Sequence, residues 1–244
     1  MISKDTIQMY SAKYQTREQN VLREYFQHLF LSIFYQQVGM NKVHFKGGTA
    51  LRLIYNSPRF SEDLDFETPL VDIQKIENAI IATLSEIQEQ GVETNLDEAK
   101  ETSGGYLSTM QFVAMEYKEY KTPIRIEISF RNRKSKGETV LIASDLFPDY
   151  AITQLAENQL VKGKIDALLD RGKPRDFYDF YFLLRHNMLP ERNKGEIMKQ
   201  VREKLNKTAI RFDFELKEFL PKSHHIIVRD FKKILEREIR KYVF

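Results

Sequence analysis

The sequence predicts an α+β protein whose first half mixes strands with helices and whose second half is helical. Three patterns carry this expectation. A long amphipathic stretch ends at Gly39, short runs alternating apolar with charged residues follow it, and from about Ala156 onward the apolar spacing is helical. The change of pattern places a boundary near residue 150. An α/β part with N-terminal helices is expected over 1–150 and a helical part over 151–244.

The elements follow in order. Thr16 and Gln19 have the spacing of a capping box, and Val21, Leu22, Tyr25, Phe26, Leu29, Phe30, Ile33 and Phe34 then recur at helical period. Val43-His44-Phe45-Lys46 reads as a short strand ended by Gly47-Gly48, after which 49–55 is helical until Pro58. Leu64 and Phe66 alternate with Asp63 and Asp65, as on a strand with one buried and one polar face. Asp72 caps a helix through Ile73, Ile76, Ile80, Leu84 and Ile87 that closes at Gly91. Two more strands are expected at 106–117 and 124–130, with the Glu-rich stretch before Gly104-Gly105 as a loop. Ile124, Ile126, Ile128 and Phe130 share one face of the second, which puts Glu127 on the other.

Composition narrows the chemistry. The absence of Cys removes disulfides, thiolate metal sites and a thiol nucleophile, and fits a reducing compartment. No signal-peptide layout and no apolar run of membrane-spanning length are present, so the expectation is a cytoplasmic protein with no membrane partner. The net charge is only +3, although 222–244 carries seven Lys/Arg against three Asp/Glu, a local excess suited to a polyanion. The five His residues show no metal-ligand spacing.

The carboxylates point to phosphoryl chemistry. Asp63 and Asp65 at i and i+2 on one strand, with Glu127 from a second, form a cluster of hard oxygen donors if the strands are neighbours. Such a cluster suits two Mg²⁺ ions, with Mn²⁺ as the alternative, about 3.5–4 Å apart and stabilising the attacking and leaving oxygens of an in-line displacement. A diglycine turn opening a helix offers amides and a dipole to a triphosphate, and Gly47-Gly48-Thr49 meets that need. The Thr49 hydroxyl, Arg59 and Ser61 are further candidate phosphate contacts. Glu127, the outermost carboxylate, is the candidate general base. Each piece alone has a bland reading, a tight turn or a solvated strand face, and the case rests on their order.

A family resemblance covers two segments. Phe45-Lys46-Gly47-Gly48-Thr49-Ala50-Leu51-Arg52-Leu53 and Arg59-Phe60-Ser61-Glu62-Asp63-Leu64-Asp65-Phe66 resemble the signature of the AbiEii/AbiGii toxin family, a branch of the DNA polymerase β-like nucleotidyltransferases. Lys164-Ile165-Asp166-Ala167-Leu168-Leu169-Asp170-Arg171, with Pro174-Arg175-Asp176-Phe177-Tyr178-Asp179-Phe180-Tyr181, is similar to that family's downstream helical segment. The resemblance implies a polymerase β-like mixed sheet with flanking helices and a helical C-terminal part that completes the nucleotide site. It also implies Mg²⁺, an NTP substrate and a cognate antitoxin within a toxin–antitoxin or phage-defence system, with transfer to tRNA 3′ ends. Carried over residue by residue, it makes Lys164 a phosphate or nucleotide contact and Asp176 an orienting or base-like group. Gly163 departs from the family's alanine at a cost of about 1 kcal/mol of helix propensity.

Other readings stay open. Arg171, Arg175, Asp176 and Asp179 also suit an ion-pair network between two helices, and the aromatic residues 178–182 suit a core. The donor-side motifs are equally consistent with a small-molecule or protein acceptor in place of tRNA. A non-catalytic nucleotide- or RNA-binding module of the same fold is the remaining alternative.

Overall fold

The computed structural model describes residues 2–69, 72–118 and 120–242. The chain divides into two compact units, Met1–Asn56 with Phe60–Ala156, and Ser57–Arg59 with Glu157–Phe244.

The first unit holds one mixed seven-stranded sheet. Its strands are β1 (His44–Lys46), β2 (Leu64–Glu67), β3 (Glu93–Thr102), β4 (Gly105–Val113), β5 (Thr122–Ser129), β6 (Gly137–Ser144) and β7 (Phe147–Leu155). The spatial order is β3-β4-β5-β2-β1-β7-β6. β2 runs parallel to β5 and antiparallel to β1, so the two candidate carboxylate strands are direct neighbours at the middle of the sheet. Helices α1 (Lys4–Lys13), α2 (Glu18–Phe34), α3 (Gly47–Tyr55) and α4 (Ile73–Glu89) complete this unit.

The pattern that makes these strands also buries them. Leu64, Phe66, Ile124, Ile126 and Ile128 are all withdrawn from solvent, while Asp65, Glu67, Arg125 and Glu127 take the opposite face. The apolar side of the sheet meets α2, whose Phe34 ring lies 5.6 Å from Phe66, with Phe45 5.4 Å from Phe66 on the neighbouring strand. Aromatic pairs at such spacing add about 0.5–1.5 kcal/mol each beyond the area they bury.

Two expectations need correction, and one hairpin carries none. The Glu-rich stretch before Gly104 is the edge strand β3, not a loop; with one edge unpaired and almost every residue exposed, it does not show the apolar alternation that marks a half-buried strand. The hairpin β6–β7 carries no expectation from sequence for the same reason, since β6 is the opposite, largely exposed edge. Thr16 does not cap α2; its hydroxyl accepts a hydrogen bond from the Asn20 side chain, and the helix begins at Glu18 with Arg17 in the N-cap position. Asp72 does cap α4, accepting from the Lys75 amide at 3.2 Å.

The second unit is helical: α5 (Glu157–Asp170), α6 (Pro174–Arg185), α7 (Lys194–Lys207), α8 (Phe212–Phe219), α9 (His225–Arg229) and α10 (Phe231–Arg240). β7 runs through the boundary expected at residue 150 and ends at Leu155. Tyr178, Phe180 and Phe182 are buried, Phe212 meets both Phe177 and Phe231, and Tyr178 stacks on Phe231 at 5.8 Å. The aromatic run of α6 is therefore core. Among the described residues no helix is long and apolar enough to cross a membrane.

Candidate active site

The diglycine turn and the aspartate strand meet in the sheet unit. Gly47 has φ +87°, a left-handed backbone that a side chain opposes, and it opens α3 immediately after β1. The space above it is taken. A Cβ at Gly47 would overlap the Oδ2 of Asp65 and would lie 2.8 Å from that residue's Cβ and Cγ. Glycine is thus required twice, by the turn and by the carboxylate laid across it. No side chain caps α3 among the described residues, which leaves its first-turn amides and the positive end of its dipole beside Asp65.

Thr49, expected to donate to a phosphate, is fully buried, and its hydroxyl donates to the main-chain carbonyl of Asp63. That bond fastens the turn of α3 to the residue that precedes β2. The same loop is held from the other side by Gln27 of α2, whose amide donates to the carbonyls of Ser61 at 3.0 Å and Glu62 at 3.1 Å. Behind α3, Arg52 makes a two-pronged contact with Glu24 at 2.7 and 3.1 Å, with both groups nearly enclosed. Gln27, Glu24 and Arg52 thus position the loop and the helix, and sequence reading missed them. Helical period marks Gln27 and Glu24 only as members of α2, and their partners lie 28 to 35 residues away.

Asp63 and Asp65 are half-buried, and Asp65 stands in register with Glu127 across the parallel pair β2–β5. Glu127 is exposed and turned toward Arg125 of its own strand at 3.0 Å. Lys46 and Glu67 pair at 2.9 Å farther along the same polar face, and Asn132 donates to Glu67 at 2.8 Å. Among the described residues no three acidic or imidazole groups converge into a ready cage for an ion. The strand register brings Asp65 and Glu127 side by side, while the Glu127 carboxylate is spent on Arg125.

The remaining candidates belong to the helical unit. Arg59 is 4% exposed and grips Asp179 through Nε and Nη2 at 2.8 and 3.0 Å. Lys164 donates to the same carboxylate at 2.7 Å. Burial raises the pKa of Asp179, but the charges and hydrogen bonds of Arg59 and Lys164 outweigh it and hold the carboxyl down at about 2. Asp176 is equally committed. It accepts from Arg171 at 2.9 and 2.7 Å and from the backbone amide of Lys173 at 2.9 Å, closing the first turn of α6. Arg175 instead faces Glu215 of α8 at 3.3 Å, so the four charged residues do not share one network: Arg171 holds Asp176, Arg175 faces Glu215, and Asp179 takes both Arg59 and Lys164.

A profile of nucleotidyl transferase AbiEii toxins of type IV toxin–antitoxin systems matches residues 29–241, nearly the whole chain. The chain belongs to the AbiEii family of nucleotidyltransferase toxins. Its fold is shared with solved structures. The Helicobacter pylori protein JHP933 is 18% identical, superimposes with a TM-score of 0.61, and the match covers 93% of this chain and 95% of that one. MenT4, a nucleotidyltransferase toxin from Mycobacterium tuberculosis, is 15% identical with a TM-score of 0.62, over 99% of this chain and 93% of that one. A search of curated protein sequences finds no match. The AbiEii assignment makes the chain a nucleotidyltransferase and implies a cognate antitoxin.

Proposed function

We propose that this AbiEii toxin transfers a nucleoside monophosphate from an NTP to a hydroxyl of RNA, with a tRNA 3′ end as the acceptor, releasing pyrophosphate. The observation that carries the reading is the contact between Gly47 and Asp65, which puts a helix N-terminus suited to phosphate directly beside a carboxylate suited to a divalent cation. Asp63, Asp65 and Glu127 are the donors proposed for Mg²⁺, or Mn²⁺ in its place. Their fit is chemical: the donors are hard carboxylate oxygens, with Asp65 and Glu127 in register on one polar face and Asp63 two residues before Asp65. A bound divalent ion supplies charge neutralisation at the triphosphate and activation of the incoming hydroxyl.

The protein's own residues bind and orient. Gly47 and Gly48 admit the triphosphate to the backbone of α3, and Ser61, half-buried and just ahead of Asp63, adds a hydroxyl. Thr49 acts by holding the Asp63 carbonyl, and Arg59 by anchoring its segment through Asp179. Lys164, held by Asp179, is the proposed nucleotide contact, and Asp176 orients it indirectly by fixing the start of α6. Glu127 is the proposed general base. Its exposed pair with Arg125 is of the kind worth about 0–1 kcal/mol, so a bound ligand can displace it.

The test is incubation of the purified protein with α-labelled NTPs, Mg²⁺, total cellular RNA and a cell extract of protein and small molecules. Label on tRNA is expected. Label confined to protein or to a small molecule would overturn the acceptor, and label nowhere would overturn the transfer itself.

A further inference from the structure

Phe212 and Leu216 of α8 face the helical core, and Phe214, two residues from each, is thrown to the opposite side of the helix and is 86% exposed. A solitary exposed apolar residue carries no message by itself. This one borders an open hollow of about 410 Å³ with an apolar lining of Pro174 and Ile210, around which stand Arg171, Lys173 and Arg211. Glu215 is the one acid in the lining, and Arg175 faces it at 3.3 Å. Gly172, at φ +59°, makes the turn between α5 and α6 so tight that Lys204 lies against it, bringing a further cation to this corner.

An aromatic face in water, an apolar floor and an excess of cations on the rim together fit one ligand chemistry, an unpaired nucleic-acid strand. A base stacks on the ring while the phosphates on either side of it meet Lys and Arg. Arg171 is committed to Asp176, but Arg211 can turn to a ligand: it is 81% exposed and its pair with Asp213 at 3.2 Å is of the weak surface kind. An acidic protein segment would satisfy the charges but would give the flat ring and the shallow apolar floor no planar partner.

We infer that Phe214 and the cationic hollow beside it form a docking platform for a single-stranded RNA segment, the base stacking on Phe214 and the flanking phosphates on Lys173 and Arg211. This deepens the transfer reading above and rests on it for the acceptor's identity.

The chain contains no Trp, so Phe214→Trp installs a single indole reporter. Titration of the full-length Phe214→Trp protein with a short single-stranded RNA is expected to quench its emission, and Phe214→Ala is expected to weaken binding of the same RNA by about tenfold, the loss that one stacked base carries. The dependence of affinity on salt should be unchanged by Phe214→Ala and should become shallower in Lys173→Ala/Arg211→Ala, since only the latter removes phosphate contacts. Unaltered binding by Phe214→Ala overturns the platform. Equal quenching by heparin, an RNA duplex or an acidic peptide does the same. Nucleotide transfer to the same RNA, measured in parallel, separates the two readings. Phe214-dependent binding without any transfer would defeat the function and leave the platform standing, whereas full transfer and full binding by Phe214→Ala would do the reverse.

Discussion

The acidic groups of the two units are in opposite conditions. In the sheet unit Asp63 and Asp65 are half-buried beside a helix N-terminus, and Glu127 is exposed and paired with Arg125. In the helical unit Asp176 and Asp179 are 2% and 1% exposed, and both carboxylates are filled with cationic or amide donors. A half-buried or exposed carboxylate can turn toward an ion, whereas an enclosed one filled with cationic donors is a structural part whose loss strands buried cations. Chemistry is therefore assigned to the first group and positioning to the second, a division open to measurement.

The largest effect is expected on turnover. Asp65→Asn should lower nucleotide transfer by about a thousandfold, since a ligand to a catalytic cation contributes several kcal/mol of charge stabilisation and each 1.36 kcal/mol is tenfold. Its melting temperature should stay within a few degrees of wild type. Next, Asp179→Ala should destabilise the fold by about 3–5 kcal/mol in chemical denaturation, because Arg59 and Lys164 lose a buried counter-charge.

The same residue predicts a pH dependence. With its folded pKa depressed to about 2, below the usual carboxylate value, Asp179 contributes stability that is complete above about pH 4 and is lost as the pH falls through 2. That contribution is about 2–3 kcal/mol, so wild type should lose this much between roughly pH 4 and pH 1. Asp179→Ala should show a correspondingly flatter acid limb in denaturation measured across that range.

Smaller effects refine the picture. Thr49→Val removes the hydrogen bond to the Asp63 carbonyl in a fully buried place and should cost about 1–2 kcal/mol of stability. It should also slow transfer, by roughly tenfold if a shift of the Asp63 carboxylate displaces a reacting group. An unchanged rate would show that the turn holds its aspartate without Thr49. Gly163→Ala should stabilise by about 0.5–1 kcal/mol, because a Cβ there meets nothing within 4 Å inside α5. Differential scanning calorimetry would register it as a small rise in Tm, and a fall would mean that the glycine serves packing after all.

What the sequence discloses follows sequence distance and burial. Alternation over Leu64–Glu67 and Ile124–Ser129 is legible because half-buried strands at the middle of a sheet must alternate, and the glycine turn is legible because a left-handed residue leaves few choices. β3 and β6 are illegible because exposed edges place no such demand. The partners of Arg59, Thr49 and Gln27 are illegible for a different reason. A residue type suited to phosphate is equally suited to a carboxylate or a carbonyl, and only the fold decides that Arg59 meets Asp179 across 120 positions. Phe214 sits in a helix where its neighbours Phe212 and Leu216 are core, and sequence alone gives it no different standing.

The division between the two groups of carboxylates is tested most directly by Mn²⁺ binding, read by electron paramagnetic resonance in wild type and in the Asp63→Asn/Asp65→Asn double variant, with and without an NTP. Wild type should bind Mn²⁺, the NTP should tighten it, and the double variant, though folded, should lose it. Equal Mn²⁺ binding by the two proteins would contradict the assignment of chemistry to the aspartates beside the glycine turn.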